Sequence, residues 1–228
     1  MTTTPWTDLF DGQTLSGWTA PGGAGGAGGH AWRVAGAVRV HPQDERRFQI
    51  EPGTGLFVNG DEGRTTDLRT VAEHGSCELH LEFCVPRGSN SGVYLQGQYE
   101  IQILDSFGTP DADLKYGSCG GIYARWVEAT RTPYDGAPPR TNASRPPGEW
   151  QELDVLFRAP RFGAQGEKVA NARFEWVRLN GVLIHEGFEC SGPTRGAWNE
   201  VDIPRGPLRL QGDHGPVAFR NLRLRATD

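Results

Sequence analysis

The strongest constraint in this chain is a strict two-residue alternation, clearest in Arg87-Gly-Ser-Asn-Ser-Gly-Val-Tyr-Leu-Gln-Gly-Gln-Tyr-Glu-Ile-Gln-Ile-Leu-Asp105. Tyr99, Ile101 and Ile103 fall on one side of an extended chain, and Glu100 and Gln102 on the other. That is the pattern of a strand with one face in a core and one in water. It returns over residues 76–85, where Leu79, Leu81, Phe83 and Val85 alternate with Glu78, His80, Glu82 and Cys84. No stretch repeats apolar residues at helical spacing, whereas Gly and Pro number 32 and 16. Many short strands with turn-rich connections follow, hence an all-β antiparallel sandwich or barrel. No linker divides the chain, so residues 1–228 read as one domain, with a low-complexity flexible loop at 22–29.

The central stretch reads as two strands joined at Gly97. A two-residue turn at Gly97-Gln98 pairs Leu95 with Glu100, mixing apolar and polar residues on one face. A three-residue turn, Gly97 to Tyr99, pairs Gln96 with Glu100 and Tyr94 with Gln102. The second register gathers Val93, Leu95, Ile101 and Ile103 into the core and Tyr94, Gln96, Glu100 and Gln102 on the wet face. That wet face carries a carboxylate, amides and a phenol rather than Lys or Thr. Asp105 is one residue out of phase. A bulge near Ile103-Leu104 brings it onto the polar face; otherwise it begins the loop toward Gly108-Thr-Pro.

Elsewhere, residues 32–40 read as a hairpin turning near Gly36, and 42–65 as irregular chain with a short strand at 55–58. One helical turn is expected near Leu114-Lys-Tyr. The Pro- and Arg-rich loop 125–149 is expected to rim the site, since long loops inside compact domains usually serve function. Strands follow at 150–158, 170–179 and 182–186, the last two joined by the hairpin signal Asn180-Gly181. Strands at 207–211 and 217–224 flank Gly212-Asp-His-Gly215, a turn carrying His214. His80 between two Glu residues reads as a solvated strand face rather than a metal site.

The four cysteines form no Cys-x-x-Cys pair, so free thiols are expected and a zinc knuckle is not. A net charge of −5 without a basic cluster disfavours nucleic acid as a partner. No apolar run is long enough to span a membrane, and the first residues lack the features of a signal peptide, so a cytoplasmic protein is expected. Nothing in the sequence fixes an oligomeric state.

The opening Leu-Phe-Asp-Gly…Leu-Ser-Gly-Trp, the Gly-Ser-Asn-Ser-Gly-Val-Tyr run, Tyr-Glu-Ile-Gln-Ile-Leu-Asp, Asn-Ala-Ser-Arg-Pro-Pro-Gly-Glu-Trp-Gln and the closing Pro-Leu-Arg-Leu-Gln…Asp-His-Gly together resemble the 3-keto-disaccharide hydrolase domain family, over about residues 9–225. The linker Gln-Gly-Asp-His-Gly is one residue longer than the family's usual one. The resemblance implies a concanavalin- or laminarinase-like jelly roll with a concave ligand face, and an enzyme cleaving 3-keto-glycosides without cofactor or metal. Residues 100–105 also resemble the Glu-x-Asp-x-x-Glu strand of laminarinase-type family 16 glycosidases. Here Gln102 replaces the helper Asp, and the final Glu is the shorter Asp105, which works against ordinary retaining hydrolysis.

A ketone at C3 changes the chemistry required. It acidifies the C2 proton, so a base can drive elimination of the C1 oxygen, with water adding back afterwards. That needs a base, a proton donor to the leaving oxygen and donors to the enolate. Glu100 is the expected base, with Asp105 or His214 as acid and the Asn90, Gln96 and Gln102 amides as donors. Tyr94, Tyr123, Arg87 and Arg145 are candidate substrate contacts. Two alternatives stand beside this reading: a lectin-like carbohydrate-binding domain without turnover, and a structural or interaction domain.

Overall fold

The structure, a computed structural model, describes residues 4–20 and 31–227; the Gly-rich loop at 22–29 lies outside these. Among the described residues, seventeen strands run in chain order. They are β1 Thr7–Asp8, β2 Trp18–Thr19, β3 Arg33–His41, β4 Asp44–Val58, β5 Leu68–His74, β6 Cys77–Cys84, β7 Asn90–Leu95 and β8 Tyr99–Leu104, then β9 Arg125–Val127, β10 Thr132–Tyr134, β11 Gln151–Arg158, β12 Arg161–Phe162, β13 Lys168–Ala170, β14 Ala172–Leu179, β15 Val182–Cys190, β16 Gly206–Leu210 and β17 Ala218–Ala226. Among the described residues the one helical element is a 3-10 turn at Asp111–Asp113, slightly earlier than the Leu114 position expected. The chain is an all-β antiparallel sandwich.

One sheet has the order β15-β14-β11-β6-β17-β4-β3, with β1 also pairing β17, so the chain's first and last strands share a sheet. The other has the order β2-β5-β16-β7-β8. Two short ribbons, β9 with β10 and β12 with β13, stand apart.

Phe57, Phe83, Phe157, Phe174 and Phe219 project inward from the large sheet, and Leu95, Tyr99, Ile101, Ile103, Leu208 and Leu210 meet them from the small one. Tyr99 stacks on Phe157 across the gap at 5.3 Å between centroids. Each such side chain contributes about 1.5–3 kcal/mol on burial. The outer face of β6 is covered by ion pairs of Glu78 with Arg225 at 2.5 Å and Glu82 with Arg220 at 2.7 Å, and by a hydrogen bond between His80 and Asp154 at 2.7 Å. The four cysteines are buried and form no disulfide.

Three expectations are corrected. Gly36 is not a turn. β3 runs through it and turns later, pairing with the long β4, which replaces the irregular segment expected at 42–65. A Cβ at Gly36 would lie 2.8 Å from the Pro52 carbonyl oxygen, so this glycine permits a close backbone approach at a bulge. The loop 125–149 contains the β9–β10 ribbon.

The third correction is the β7–β8 register. Leu95 pairs with Tyr99, Tyr94 with Glu100 and Gly92 with Gln102, two residues off the expected pairing. The turn is centred on Gln96 and Gly97, both left-handed at φ 55° and 67°, as a type I′ turn requires. Its length is odd, as expected, so the faces of the two strands divide as expected. Gln96 alone leaves the polar face. Its amide donates instead to the carbonyl oxygens of Pro204 at 2.9 Å and His74 at 3.4 Å.

Candidate functional site

The small sheet presents its outer face to a concave surface, and its registers fix what stands there. Arg69 pairs with Arg209, Arg209 with Tyr94, and Tyr94 with Glu100. One rung across β5, β16, β7 and β8 therefore sets these four side chains in a row, at the roughly 5 Å spacing of adjacent strands. β8 is the outermost strand, yet its free edge is covered. Gly120 N donates to the Gln102 carbonyl at 2.8 Å, and Tyr123 N donates to the Glu100 carbonyl at 3.0 Å. This covering segment carries Tyr123 to the rim.

The resulting cavity has a volume of about 320 Å³ and is lined by Asn90, Tyr94, Glu100, Gln102, Tyr123, Arg195, Gly196, Gln211 and His214. Glu100 lies on its floor, only 2 % exposed. Its carboxylate occupies the space above Gly92, where a Cβ would come within 2.1 Å of Oε1. Glycine on the neighbouring strand is thus what makes room for the acid.

Burial pushes the Glu100 carboxyl up to about 8. A hydrogen bond from the Tyr94 hydroxyl and the Arg209 charge work against that rise, while Asp67 and Asp213 add to it. With its amide nitrogen turned toward Glu100, Gln102 donates to Oε1 and to the Ser91 carbonyl, each at 3.2 Å. Burial and the nearby Glu100 charge also raise the Tyr123 phenol, keeping it protonated.

Tyr94 is not an open platform for a sugar. It is 2 % exposed, and the Arg209 guanidinium covers its ring at 3.8 Å. Arg209 is held in turn by the Gly196 carbonyl at 2.6 Å and by Asp67, whose Oδ2 lies 3.6 Å from Nε. Asp67 Oδ1 accepts the Gly212 N–H at 3.0 Å, and burial raises this carboxyl too.

Of the expected site residues, Asn90, Tyr94, Glu100, Gln102, Tyr123 and His214 line this cavity. His214 is exposed and bonded through Nδ1 to Asp213. Gln96 is absent for the reason given above. Asp105 is also elsewhere: β8 ends at Leu104 without a bulge, and the Asp105 carboxylate accepts the Gly88 N–H at 2.9 Å. Arg87 pairs with Glu45 at 3.0 Å on the surface, beside Asp105 in a separate depression. Arg145 donates to the Trp150 carbonyl at 2.7 Å. These four are corrections, because each side chain is engaged by a partner away from the cavity.

Arg195, Arg209 and Gln211 went unrecognised in the sequence. Arg209 and Gln211 do alternate with Leu208 and Leu210, which was a signal for the wet face. Arg195 sits in irregular chain, where no periodicity marks it.

The sequence pattern described as a 3-keto-alpha-glucoside-1,2-lyase-like domain matches residues 5–225. No curated protein matches the chain. Among solved structures, a "putative glycosyl hydrolase" from Parabacteroides distasonis is 26% identical with a TM-score of 0.66, over 97% of this chain and 84% of that one. A second so described from the same organism is 20% identical with a TM-score of 0.61, over 98% and 100%. A third is 20% identical with a TM-score of 0.60, over 98% and 94%.

Proposed function

The chain belongs to the 3-keto-alpha-glucoside-1,2-lyase-like family, and from that membership we propose that it cleaves 3-keto-glycosides by base-catalysed elimination, with Glu100 as the base. The observation that carries this is a single buried carboxylate on the floor of a cavity otherwise lined by amides, phenols, Arg and His. Its volume of about 320 Å³ is at the small end of ligand sites, ~300–1,000 Å³, and suits one oxidised sugar ring. A base with its pKa near the operating pH is the favourable case for proton abstraction.

In the proposed step, the Glu100 carboxylate takes the C2 proton. The C2–H electron pair forms the C1–C2 double bond, and the C1–O bond breaks toward the leaving oxygen. Charge developing on the C3 oxygen is met by hydrogen-bond donors at one end of the cavity, Asn90, Gln211 and His214. The loop of His214 packs there, since a Cβ at Gly215 would touch the Asn90 nitrogen at 2.8 Å. At the other end, the protonated Tyr123 phenol supplies the proton to the leaving oxygen. Water added across the double bond then gives net hydrolysis; without that addition the enzyme is a lyase.

The test follows 3-keto- and unmodified disaccharides by mass spectrometry with the wild type, Glu100→Gln and Tyr123→Phe. Cleavage restricted to the 3-keto substrate, with deuterium entering C2 early in D2O, is the expected result. Binding of a disaccharide without cleavage would leave a lectin-like domain, and equal cleavage of unmodified sugar would overturn the elimination.

A further inference from the structure

A second cavity adjoins the first. It measures about 480 Å³ and includes Arg125, Trp126, Tyr134, Arg195, Gly196 and Glu200 in its walls. Arg195 and Gly196 also line the Glu100 cavity, so the two spaces share one wall. That wall is held to the sheet edge: Thr194 N donates to the Gln98 carbonyl and Arg195 N to the Ala124 carbonyl, each at 2.9 Å. Arg195 itself is stacked over the Trp126 ring at 4.0 Å. The β9–β10 ribbon, which has no part in the proton transfer described above, thus exists in a defined place beside the reacting end of the site. Ser191 ties its far strand in place, donating from its backbone N–H to Asp135 at 2.7 Å.

We infer that the second cavity is the leaving-group subsite, that it accepts a further sugar ring, and that Arg195 faces the bridging oxygen of a disaccharide spanning both spaces. The inference rests on the proposed elimination. The Tyr94 hydroxyl, hydrogen-bonded to Glu100, reaches toward the Gly196 wall, where an added Cβ would lie 3.5 Å from it. An oxidised ring that presents C2 to Glu100 carries its leaving group on the adjacent carbon, and the shared Arg195–Gly196 wall is where a second ring enters the adjoining cavity. The lining of the second cavity fits a hydroxylated ring. Trp126 and Tyr134 supply apolar surface, as aromatic rings do for the C–H faces of sugars. Arg125, Glu128 and Glu200 put both donors and acceptors around it. Arg195, positively charged and held by Trp126, is placed to donate to the departing oxygen as its charge grows.

The test compares kcat/KM for a 3-keto-disaccharide with that for methyl 3-keto-glucoside, whose leaving group cannot reach the second cavity. In Trp126→Ala and Tyr134→Ala the ratio of the two should fall about tenfold or more, mainly through KM for the disaccharide. Tyr134 is 41 % exposed, so its variant keeps the test sound if the Trp126 change disturbs the ribbon. An unchanged ratio in a folded Tyr134→Ala protein overturns the subsite. If the wild type cleaves neither substrate, the proposed reaction fails separately. The subsite is then read from calorimetric binding of unoxidised disaccharide against methyl glucoside. A preference for the disaccharide that Tyr134→Ala abolishes supports it, and no preference overturns it.

Discussion

Glu100→Gln should stabilise the protein above neutral pH while disabling it, and the size of the first effect can be worked from the site. Burial pushes the folded carboxyl up to about 8 from an ordinary value of 4.5. At low pH both folded and unfolded chains hold the proton, so Glu100 costs nothing there. As pH rises through 4.5 the unfolded chain ionises while the folded one stays neutral, and stability falls by up to about 1.4 kcal/mol per pH unit. The fall ends once the folded carboxyl ionises as well, above about 8. The full difference is of order 5 kcal/mol, taken as an upper figure because unfolded chains retain structure. Glutamine keeps the shape and does not titrate, and the other carboxylates cancel between the two proteins. The variant's advantage should therefore grow from near zero at pH 4 to several kcal/mol at pH 9. In melting temperature that is of order 10 °C for a chain of this size. Urea melts at pH 4, 6 and 9 measure it. Over the same range wild-type kcat/KM should rise with an apparent pKa near 8, and the variant should lose about 10²–10⁴-fold. Stability curves that run parallel in pH would show that Glu100 ionises alike in the folded and unfolded chains, and would refute the argument from a dry floor.

Gly92→Ala puts a methyl where the Glu100 carboxylate now lies. It should cost about 1–3 kcal/mol in a denaturation melt and lower kcat by at least about tenfold. Arg209→Met removes the cation that favours the ionised Glu100, so the rising limb of the pH–rate profile should move to higher pH; a shift downward would contradict the assignment. Asp105→Asn and Gln96→Ala test the two corrections nearest the site. Both should leave the pH–rate profile in place, and Gln96→Ala should cost about 1 kcal/mol of stability through its lost bonds to Pro204 and His74.

Alternation along residues 93–103 is enough to separate the buried from the wet face, because a side chain's face depends only on parity along the strand. Parity cannot tell a pairing from one shifted by two, and the two candidate three-residue turns bury the same side chains. The difference lies in which residues adopt positive φ, and Gln96-Gly97 is the polar-then-glycine pair that tolerates it. Gly36 misled for a related reason, since glycine marks close backbone approach inside a strand as readily as a turn. Arg195, in irregular chain, carries no signal at all, and for Arg209 alternation gives the face but not the neighbour. The place of Arg209 over Tyr94 comes from strand order, which joins β16 to β7 across more than a hundred residues of sequence. Asp105 shows the converse: its spacing from Glu100 invites a shared role, and the strand simply stops before it.

Asn59 does for the loop of His214 what no residue in that loop does for itself. From the end of β4 its amide donates to the carbonyls of Gly212 at 3.0 Å and Gly215 at 2.8 Å, and its oxygen accepts the Val217 N–H at 2.8 Å. Both feet of the loop are thus pinned to a buried side chain, while Asp213 and His214 between them are exposed, His214 at the cavity. An arch fastened at its springing points can change its span without disturbing the masonry on either side. Substitutions at the crown, Asp213 and His214, therefore leave the anchorage intact, whereas one at Asn59 removes all three of its bonds.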